Sequence, residues 1–209
     1  MKTIIVANQK GGSGKSTLVT HLAVAAERAG DGPVVLTDTD PQGTSADWFN
    51  AREAESPGYA PASMATLPDK IAALTEAGAK WLFVDTAPAI SEHNADLLRL
   101  ADLVIVPLCA SPNDLRALAK TLPILEAAGK PFVFALTRVN PQARLTIQTV
   151  MALSEHGPVL QPALRERVAY PASMIDGRTA QELDPKGPAG QEIAELWSNV
   201  KRRFDEKMI

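Results

Sequence analysis

The feature that most constrains this chain is a glycine-rich loop between a predicted strand and a predicted helix. Residues 10–17 read KGGSGKST, after an apolar run over residues 2–8 and before a helical pattern over residues 16–29. Glycines let successive backbone N–H groups converge on an anion, and the first turn of the following helix adds partial positive charge. A strand, such a loop, a lysine, a serine and a helix in this order predict a phosphate-binding loop.

Each residue type in this loop has a predicted chemical task. Lys15 is expected to reach the β- and γ-phosphates of a nucleotide, and the Ser16 hydroxyl is expected to join a magnesium shell. A glycine-rich turn without a ligand would explain neither residue. The predicted nucleotide contacts in this loop are Lys10, Gly11, Gly12, Ser13, Gly14, Lys15, Ser16 and Thr17.

Strand and helix patterns alternate along the chain. Strands are predicted over residues 2–8, 33–37, 81–84, 103–107 and 131–136. Helices are predicted over residues 16–29, 67–77, 94–100, 114–128 and 145–154, with a last helix from residue 189 to about 208. Residues 158–188 are rich in Pro and Gly and are predicted to form a short strand, a helical turn and loops. The alternation predicts one α/β domain over residues 1–209, with a mostly parallel, twisted sheet and helices on both faces.

Polar side chains follow several of these strands. Because ligands bind at the carboxyl ends of parallel strands, Asp38, Asp40 and Asp85 are candidate site residues. Asp85 follows the apolar run Trp81 to Val84, which is the Walker B layout, so it is predicted to hold Mg²⁺ through a water. For Asp38 and Asp40 an alternative stays open: they could cap a helix that begins near Ser45.

The lysine at position 10, ahead of the two glycines, gives the loop a form that resembles the deviant Walker A signature, KGGxGK[ST], of the ParA/MinD family of P-loop ATPases. Residues 38–43 (DTDPQG) look like the DxDPQG segment of ParA proteins, and Asp85 with Pro88 fits the family's DxxP. The layout is similar to that of small plasmid-type, ParF-like partition proteins. The resemblance covers nearly the whole chain, although the C-terminal third is much less specific.

The resemblance implies roles for individual residues. Lys10 crosses a dimer interface to the partner's nucleotide, Asp40 orients the attacking water, and Asp38 supports the P-loop or the magnesium shell. Lys10, Lys15 and Asp40 are thus the implied catalytic residues, and the implied cofactors are ATP and Mg²⁺. Pro112, Thr137 and Arg138 are expected to border the adenine and ribose. The sequence contains no Asn-Lys-x-Asp guanine motif, which favours ATP over GTP.

The resemblance also implies a function. A weak ATPase would form a homodimer with ATP, bind DNA without sequence preference, and partition plasmid or chromosomal DNA with a ParB-like adaptor that stimulates hydrolysis. Its expected location is cytoplasmic and nucleoid-associated. The candidate DNA contacts are Arg165, Arg167, Lys186, Lys201, Arg202 and Arg203. An ordinary solvated helix face is the alternative for this C-terminal basic region.

Three other functions stay open. The cargo could be a protein assembly, such as a chemotaxis cluster or a carboxysome; the chain could be a MinD-like membrane switch; or it could be a metabolic enzyme resembling dethiobiotin synthetase. The net charge of −3 and the pI of about 5.7 give DNA binding no bulk support, so it would need a local basic patch. No stretch reaches membrane-spanning length. The single cysteine, Cys109, is predicted to be a small buried apolar residue, and His21 is predicted to lie on the polar side of the first helix.

Overall fold

A computed structural model of the chain describes residues 1–88 and 95–206. Within these ranges the strands form one six-stranded sheet in the order β3-β2-β4-β1-β5-β6, and all neighbouring strands are parallel. Most strand residues are buried, as expected for a sheet covered on both faces. The strands are β1 (Lys2–Val6), β2 (Val34–Asp38), β3 (Gly58–Tyr59), β4 (Trp81–Asp85), β5 (Leu103–Leu108) and β6 (Phe132–Leu136).

Helices connect the strands and cover both faces of the sheet. They are α1 (Lys15–Arg28), α2 (Thr44–Asn50), α3 (Leu67–Glu76), α4 (Ala95–Leu98), α5 (Pro112–Ala128), α6 (Arg144–Ser154), α7 (Ala169–Ser173), α8 (Ala180–Leu183) and α9 (Pro188–Asp205). A 3₁₀ turn, Met174–Asp176, follows α7. None of the helices within the described ranges has the length and apolar content needed to cross a membrane.

The sheet separates two apolar layers. On one face α1 and α9 pack against strand residues such as Phe83, and Trp197 contacts Trp81 edge-on with ring centroids 4.8 Å apart. On the other face Leu67 of α3, residues of α4 to α6 and strand residues such as Phe134 form the second cluster. The α/β class, the parallel sheet and the helices on both faces are therefore confirmed.

Strand register brings the candidate site residues to the same level. Asp85 at the end of β4 lies opposite Asp38 at the end of β2 and opposite Val6 at the end of β1. Consequently the loops that follow these three strands leave the sheet side by side. This register places residues far apart in the sequence at one edge.

Most predicted boundaries agree with the structure, and the differences have local causes. The two-residue strand β3 was not predicted, since a strand this short carries no periodic signal. The strand predicted within residues 158–188 is wrong, because in the described chain this segment makes only isolated bridges, Phe134 with Val159 and Val139 with Arg165. The start of the helix predicted over residues 94–100 and the end of the last helix near residue 208 lie outside the described residues.

The prediction for His21 is also wrong, because the side of α1 that carries it is covered by α7 and α8. The ring is fully buried, its Nδ1 lies 2.8 Å from the Thr17 carbonyl oxygen, and its Nε2 accepts a hydrogen bond from the Ala180 N–H at 3.1 Å. The edge of the ring packs against Tyr170. Burial lowers the pKa of His21 to about 4, so the ring is neutral in the folded protein.

A buried neutral histidine predicts a loss of stability in acid. Above pH 6.5, the pKa of histidine in the unfolded chain, the neutral ring makes its full contribution to the free energy of unfolding. As the pH falls from 6.5 to about 4, the unfolded chain takes up a proton that the folded protein does not, and this contribution is lost. Over this window we expect the wild type to lose roughly 3 kcal/mol more unfolding free energy than His21→Asn, whose amide is polar and does not titrate. Urea unfolding at a series of pH values measures the difference. His156→Asn, at an exposed site, is the control; parallel curves for wild type and His21→Asn would contradict the prediction.

Candidate functional site

The glycine-rich loop crosses from β1 to α1 in a conformation that its glycines permit. Gly12 and Gly14 have φ values of 73° and 86°, in the left-handed region that a side chain would strain. Asn8 holds the start of the loop, because its Nδ2 donates to the Pro107 carbonyl at 2.6 Å and its Oδ1 accepts from the Lys10 N–H at 3.2 Å. Gly14 is the N-cap of α1 and supplies no side-chain cap. The first amides of α1 are therefore open to an anion.

Lys15 presents a buried positive charge to this loop. The residue is only 7% exposed, and no ion pair among the described residues involves it. Burial lowers the pKa of Lys15, while attraction from Asp85 and Asp40 opposes that shift. The neighbouring Ser13 hydroxyl is buried and has no hydrogen-bond partner among residues 1–88 and 95–206. A buried ammonium and an unpartnered hydroxyl beside open amides fit the phosphates of a nucleotide.

Asp85 is the buried carboxylate of the site. Its Oδ1 accepts from the Thr86 N–H at 3.0 Å, and its Oδ2 accepts from the Ser45 hydroxyl at 2.5 Å. Burial raises the pKa of Asp85 to about 6, against hydrogen bonds from Ser16 and Ser45 that lower it. A nearby cation would favour the charged form. The Ser16 hydroxyl and this carboxylate are hard oxygen donors, so the residues fit Mg²⁺.

Asp38 and Asp40 have different environments. Asp38 Oδ2 accepts from the Ser45 and Ala46 amides at 2.9 and 3.3 Å, and its Oδ1 accepts from the Asp40 amide at 2.8 Å. Asp38 therefore caps α2, as the capping alternative predicted, and a role in the magnesium shell stays a prediction. Asp40 lies in the loop after β2, where its Oδ1 accepts from the Gln42 amide at 2.9 Å. Its task of orienting water also stays a prediction.

Lys10 is held by its own subunit. Its Nζ lies 2.6 Å from Asp114 Oδ2, and Asp114 also accepts from the Ser111 hydroxyl and from the Cys109 amide. The Lys10 side chain is 38% exposed, whereas that of Asp114 is 1% exposed. Although burial opposes it, hydrogen bonds from Lys10 and Ser111 hold the pKa of Asp114 below its usual value. Sequence reasoning missed Asp114, because only the fold brings the start of α5 to the loop.

A cavity of about 410 Å³ adjoins the glycine-rich loop. Thr137 and Arg138, both predicted nucleotide contacts, line it: Thr137 Oγ1 donates to the Ser13 carbonyl at 2.9 Å, and Arg138 Nη1 to the Gly12 carbonyl at 3.4 Å. Pro112 begins α5, is exposed and is not among the lining residues. The prediction also missed lining residues from the irregular segment after residue 160, from α7 and from α9: Leu164, Arg165, Glu166, Arg167, Val168, Tyr170, Pro171 and Ile193.

The candidate DNA contacts divide into two groups. Arg165 and Arg167 bind Glu192, and Lys201 binds Asp31 at 2.5 Å. Within the described chain, no ion pair involves the other three predicted contacts, which are Lys186, Arg202 and Arg203.

The prediction for Cys109 is wrong in one respect. The residue is partly exposed rather than buried, and its Sγ lies 3.8 Å from Thr137 Oγ1. The reason is its position just past the end of β5, where the buried strand gives way to the open edge of the site.

Lys15→Met is expected to act differently with and without nucleotide, because it removes a buried ammonium that has no ion pair within the described ranges. Without nucleotide we expect the variant to be at least as stable as the wild type, since a buried charge is removed. With Mg²⁺ and ATP at about 100 times the wild-type Kd, the wild type gains about 2.7 kcal/mol and the variant gains none. Thermal unfolding with and without nucleotide measures both effects. Lys120→Met on the exposed side of α5 is the control, and a full nucleotide-induced shift in Lys15→Met would contradict the assignment.

Comparison with known proteins identifies similar chains and a similar fold. A carboxysome distribution maintenance protein (A) from Gloeobacter kilaueensis is 33% identical to this chain, covering 98% of it and 94% of the relative. Protein ParA from Rhizobium radiobacter is 31% identical and covers 89% and 88%. The structure of apo McdA from Cyanthece superposes with a TM-score of 0.78 at 17% identity, covering 98% of this chain and 99% of that one. The CobQ/CobB/MinD/ParA nucleotide binding domain matches residues 4–180, and the chain belongs to this family.

Proposed function

We propose that the protein is a Mg²⁺- and ATP-dependent ATPase that switches between monomer and dimer and positions a large cargo. The observation that carries the proposal is the presence of two lysines on one phosphate-binding loop in different states. Lys15 is buried without an ion pair among the described residues, whereas Lys10 is partly exposed and held by a carboxylate. One lysine suffices for the subunit's own phosphates, so the second is available to another nucleotide.

The chain's own residues suit slow phosphoryl transfer to water. Lys15 and the amides at the start of α1 hold the phosphate oxygens and take up the charge that develops on them. Bound Mg²⁺ supplies further neutralisation of the phosphate charge, with Ser16 and Asp85 as its holders. Asp40 orients the attacking water. A carboxylate that orients water is consistent with low intrinsic turnover and stimulation by a partner protein.

Electrostatics make dimerisation depend on ATP. Two triphosphates facing each other across an interface repel, and a cation reaching each one from the opposite subunit offsets that repulsion. In this protein Lys10 must first leave Asp114, which keeps hydrogen bonds from Ser111 and the Cys109 amide after the lysine departs. Asp114 therefore remains partly compensated, so release of Lys10 leaves no wholly unpaired buried charge.

Two cargoes have support. Similarity to a ParA protein supports plasmid or chromosomal DNA, and similarity to a protein named for maintenance of carboxysome distribution supports a protein compartment. The two readings share the switch and differ in the adaptor. The adaptor that raises the ATP turnover of the purified protein, a DNA-binding protein or a compartment-associated protein, identifies the cargo.

For both cargoes, non-specific DNA is the proposed surface that the ATP-bound protein binds. Arg202 and Arg203 are adjacent near the end of α9, and neither is held by a carboxylate among the described residues. Their mutual repulsion and partial burial lower the pKa of Arg203, with burial the larger cause. A phosphodiester backbone would relieve this repulsion, and Lys186 offers a further contact.

The switch predicts that dimerisation requires Lys10. In the Asp40→Ala background, which blocks hydrolysis, ATP is expected to convert monomer to dimer, and ADP is not. Adding Lys10→Ala is expected to abolish the dimer while leaving ATP affinity within about threefold, because Lys15 serves the same subunit's nucleotide. Sedimentation velocity and nucleotide titration measure the two effects. Lys120→Ala is the matched control, and a protein that stays monomeric with ATP would refute the switch.

DNA binding through Arg202 and Arg203 predicts that their replacement lowers DNA affinity and weakens its dependence on salt. Replacing Arg202 and Arg203 by alanine should weaken binding of the ATP-bound protein equally for unrelated duplexes. The slope of log K against log salt should fall by about 1 to 2. Fluorescence anisotropy across a salt series gives this slope. Arg99→Ala, which removes one surface charge already paired with Asp96, is the control; an unchanged slope in the double variant would place the DNA contacts elsewhere.

A further inference from the structure

Two carboxylates that end neighbouring strands meet at one residue, Ser45. Its side chain is fully buried in the first turn of α2. Its backbone N–H donates to Asp38 Oδ2 at 2.9 Å, and its hydroxyl donates to Asp85 Oδ2 at 2.5 Å. Strand register sets Asp38 opposite Asp85, so α2 begins directly over the gap between them.

The far end of α2 is also fixed. Trp48 Nε1 donates to the Arg178 carbonyl at 3.0 Å. Arg52, just beyond the helix, donates to both carboxylate oxygens of Glu182 at 2.6 and 3.0 Å and to the Gly177 carbonyl at 2.7 Å. The helix is thus bonded at its start to the strand ends and at its end to α8 and the segment before it. This anchoring holds the Ser45 hydroxyl in one place relative to Asp85.

The hydrogen bonds to Asp85 leave acceptor capacity for the water of a bound metal ion. Its Oδ1 receives the Thr86 N–H, its Oδ2 receives the Ser45 hydroxyl, and the Ser16 hydroxyl also bonds this carboxylate. Each carboxylate oxygen has two acceptor positions, so these donors from different elements fix the rotation of the carboxylate without occupying every position. Residues that orient a metal-binding carboxylate in this way typically contribute ten- to hundredfold to metal affinity or activity.

We propose that Ser45 is a positioning residue for magnesium, which orients the Asp85 carboxylate toward the water of a bound Mg²⁺ and ties it to the loop of Asp40 through Asp38. The inference rests on the proposed function, because it requires Mg²⁺ and ATP at this site. It assigns α2 a task beyond packing: the metal carboxylate and the loop that carries Asp40 move together, since Ser45 is bonded directly to Asp85 and, through Asp38, to the Asp40 amide.

The test separates metal positioning from general damage to the site. The affinity for a fluorescent, non-hydrolysable ATP analogue is measured across a Mg²⁺ series and also in EDTA. In Ser45→Ala the half-saturating Mg²⁺ concentration is expected to rise about tenfold, with the affinity in EDTA unchanged. Ser45→Thr, which keeps the hydroxyl, should restore the wild-type Mg²⁺ dependence. Thr44→Ala, at the exposed neighbouring position, is the matched control.

The outcomes distinguish this inference from the proposed function. If the wild type shows no Mg²⁺-dependent binding of the analogue, the proposed function fails. If it does, and Ser45→Ala needs the same Mg²⁺ concentration or loses affinity equally in EDTA, the positioning role is overturned. Should Ser45→Ala fail to fold by circular dichroism, Ser45→Cys replaces it, with similar size and a weaker donor. A raised Mg²⁺ requirement in Ser45→Cys supports the role, and an unchanged one overturns it.

Discussion

The arrangement depends on a charge that the fold buries without an ion pair in the part of the chain that the structure describes. Lys15 lies at the start of α1 with its residue almost wholly enclosed, and longer-range attraction from Asp85 and Asp40 acts on its ammonium. An uncompensated buried charge costs stability, and an anion at the same place removes that cost. The amides at the start of α1 and the unpartnered Ser13 hydroxyl point to the same ligand class. The site is thus most stable when it holds phosphates.

The positions of the two carboxylates at this edge follow from the strand register. Because β1, β2 and β4 are parallel and end level, their following loops share one edge, and a carboxylate from each of β2 and β4 arrives there. Each carboxylate then has its own hydrogen-bond donors. Asp38 is occupied by three backbone amides, whereas Asp85 accepts one backbone amide and the hydroxyls of Ser45 and Ser16; burial raises the pKa of both carboxyls. The two aspartates are therefore chemically different, although both follow apolar strands in the sequence.

The C-terminal segment connects to this edge by buried polar contacts. His21 joins the Thr17 carbonyl of α1 to the Ala180 amide, and Arg52 joins the end of α2 to Glu182. The same segment, from Leu164 onward, walls the cavity beside the glycine-rich loop. Hydrogen bonds thus join α1 and α2, which border the phosphate edge, to the C-terminal segment, and a shift of either helix would break them.

The sequence by itself determined the fold class, five of the six strands and the phosphate-binding loop, because buried parallel strands and a glycine-rich turn leave strong local patterns. It placed Lys15 and Asp85 at the site, since Lys15 follows the glycines of the loop and Asp85 follows the apolar run of a strand. Only the tertiary structure decided which partner each polar residue has. Asp114 reaches Lys10 across 104 positions of sequence, Ser45 reaches Asp85 across 40, and His21 is buried by a segment more than 150 residues away. Side-chain pairing of this kind depends on the register and packing of separate elements, and no local periodicity encodes it.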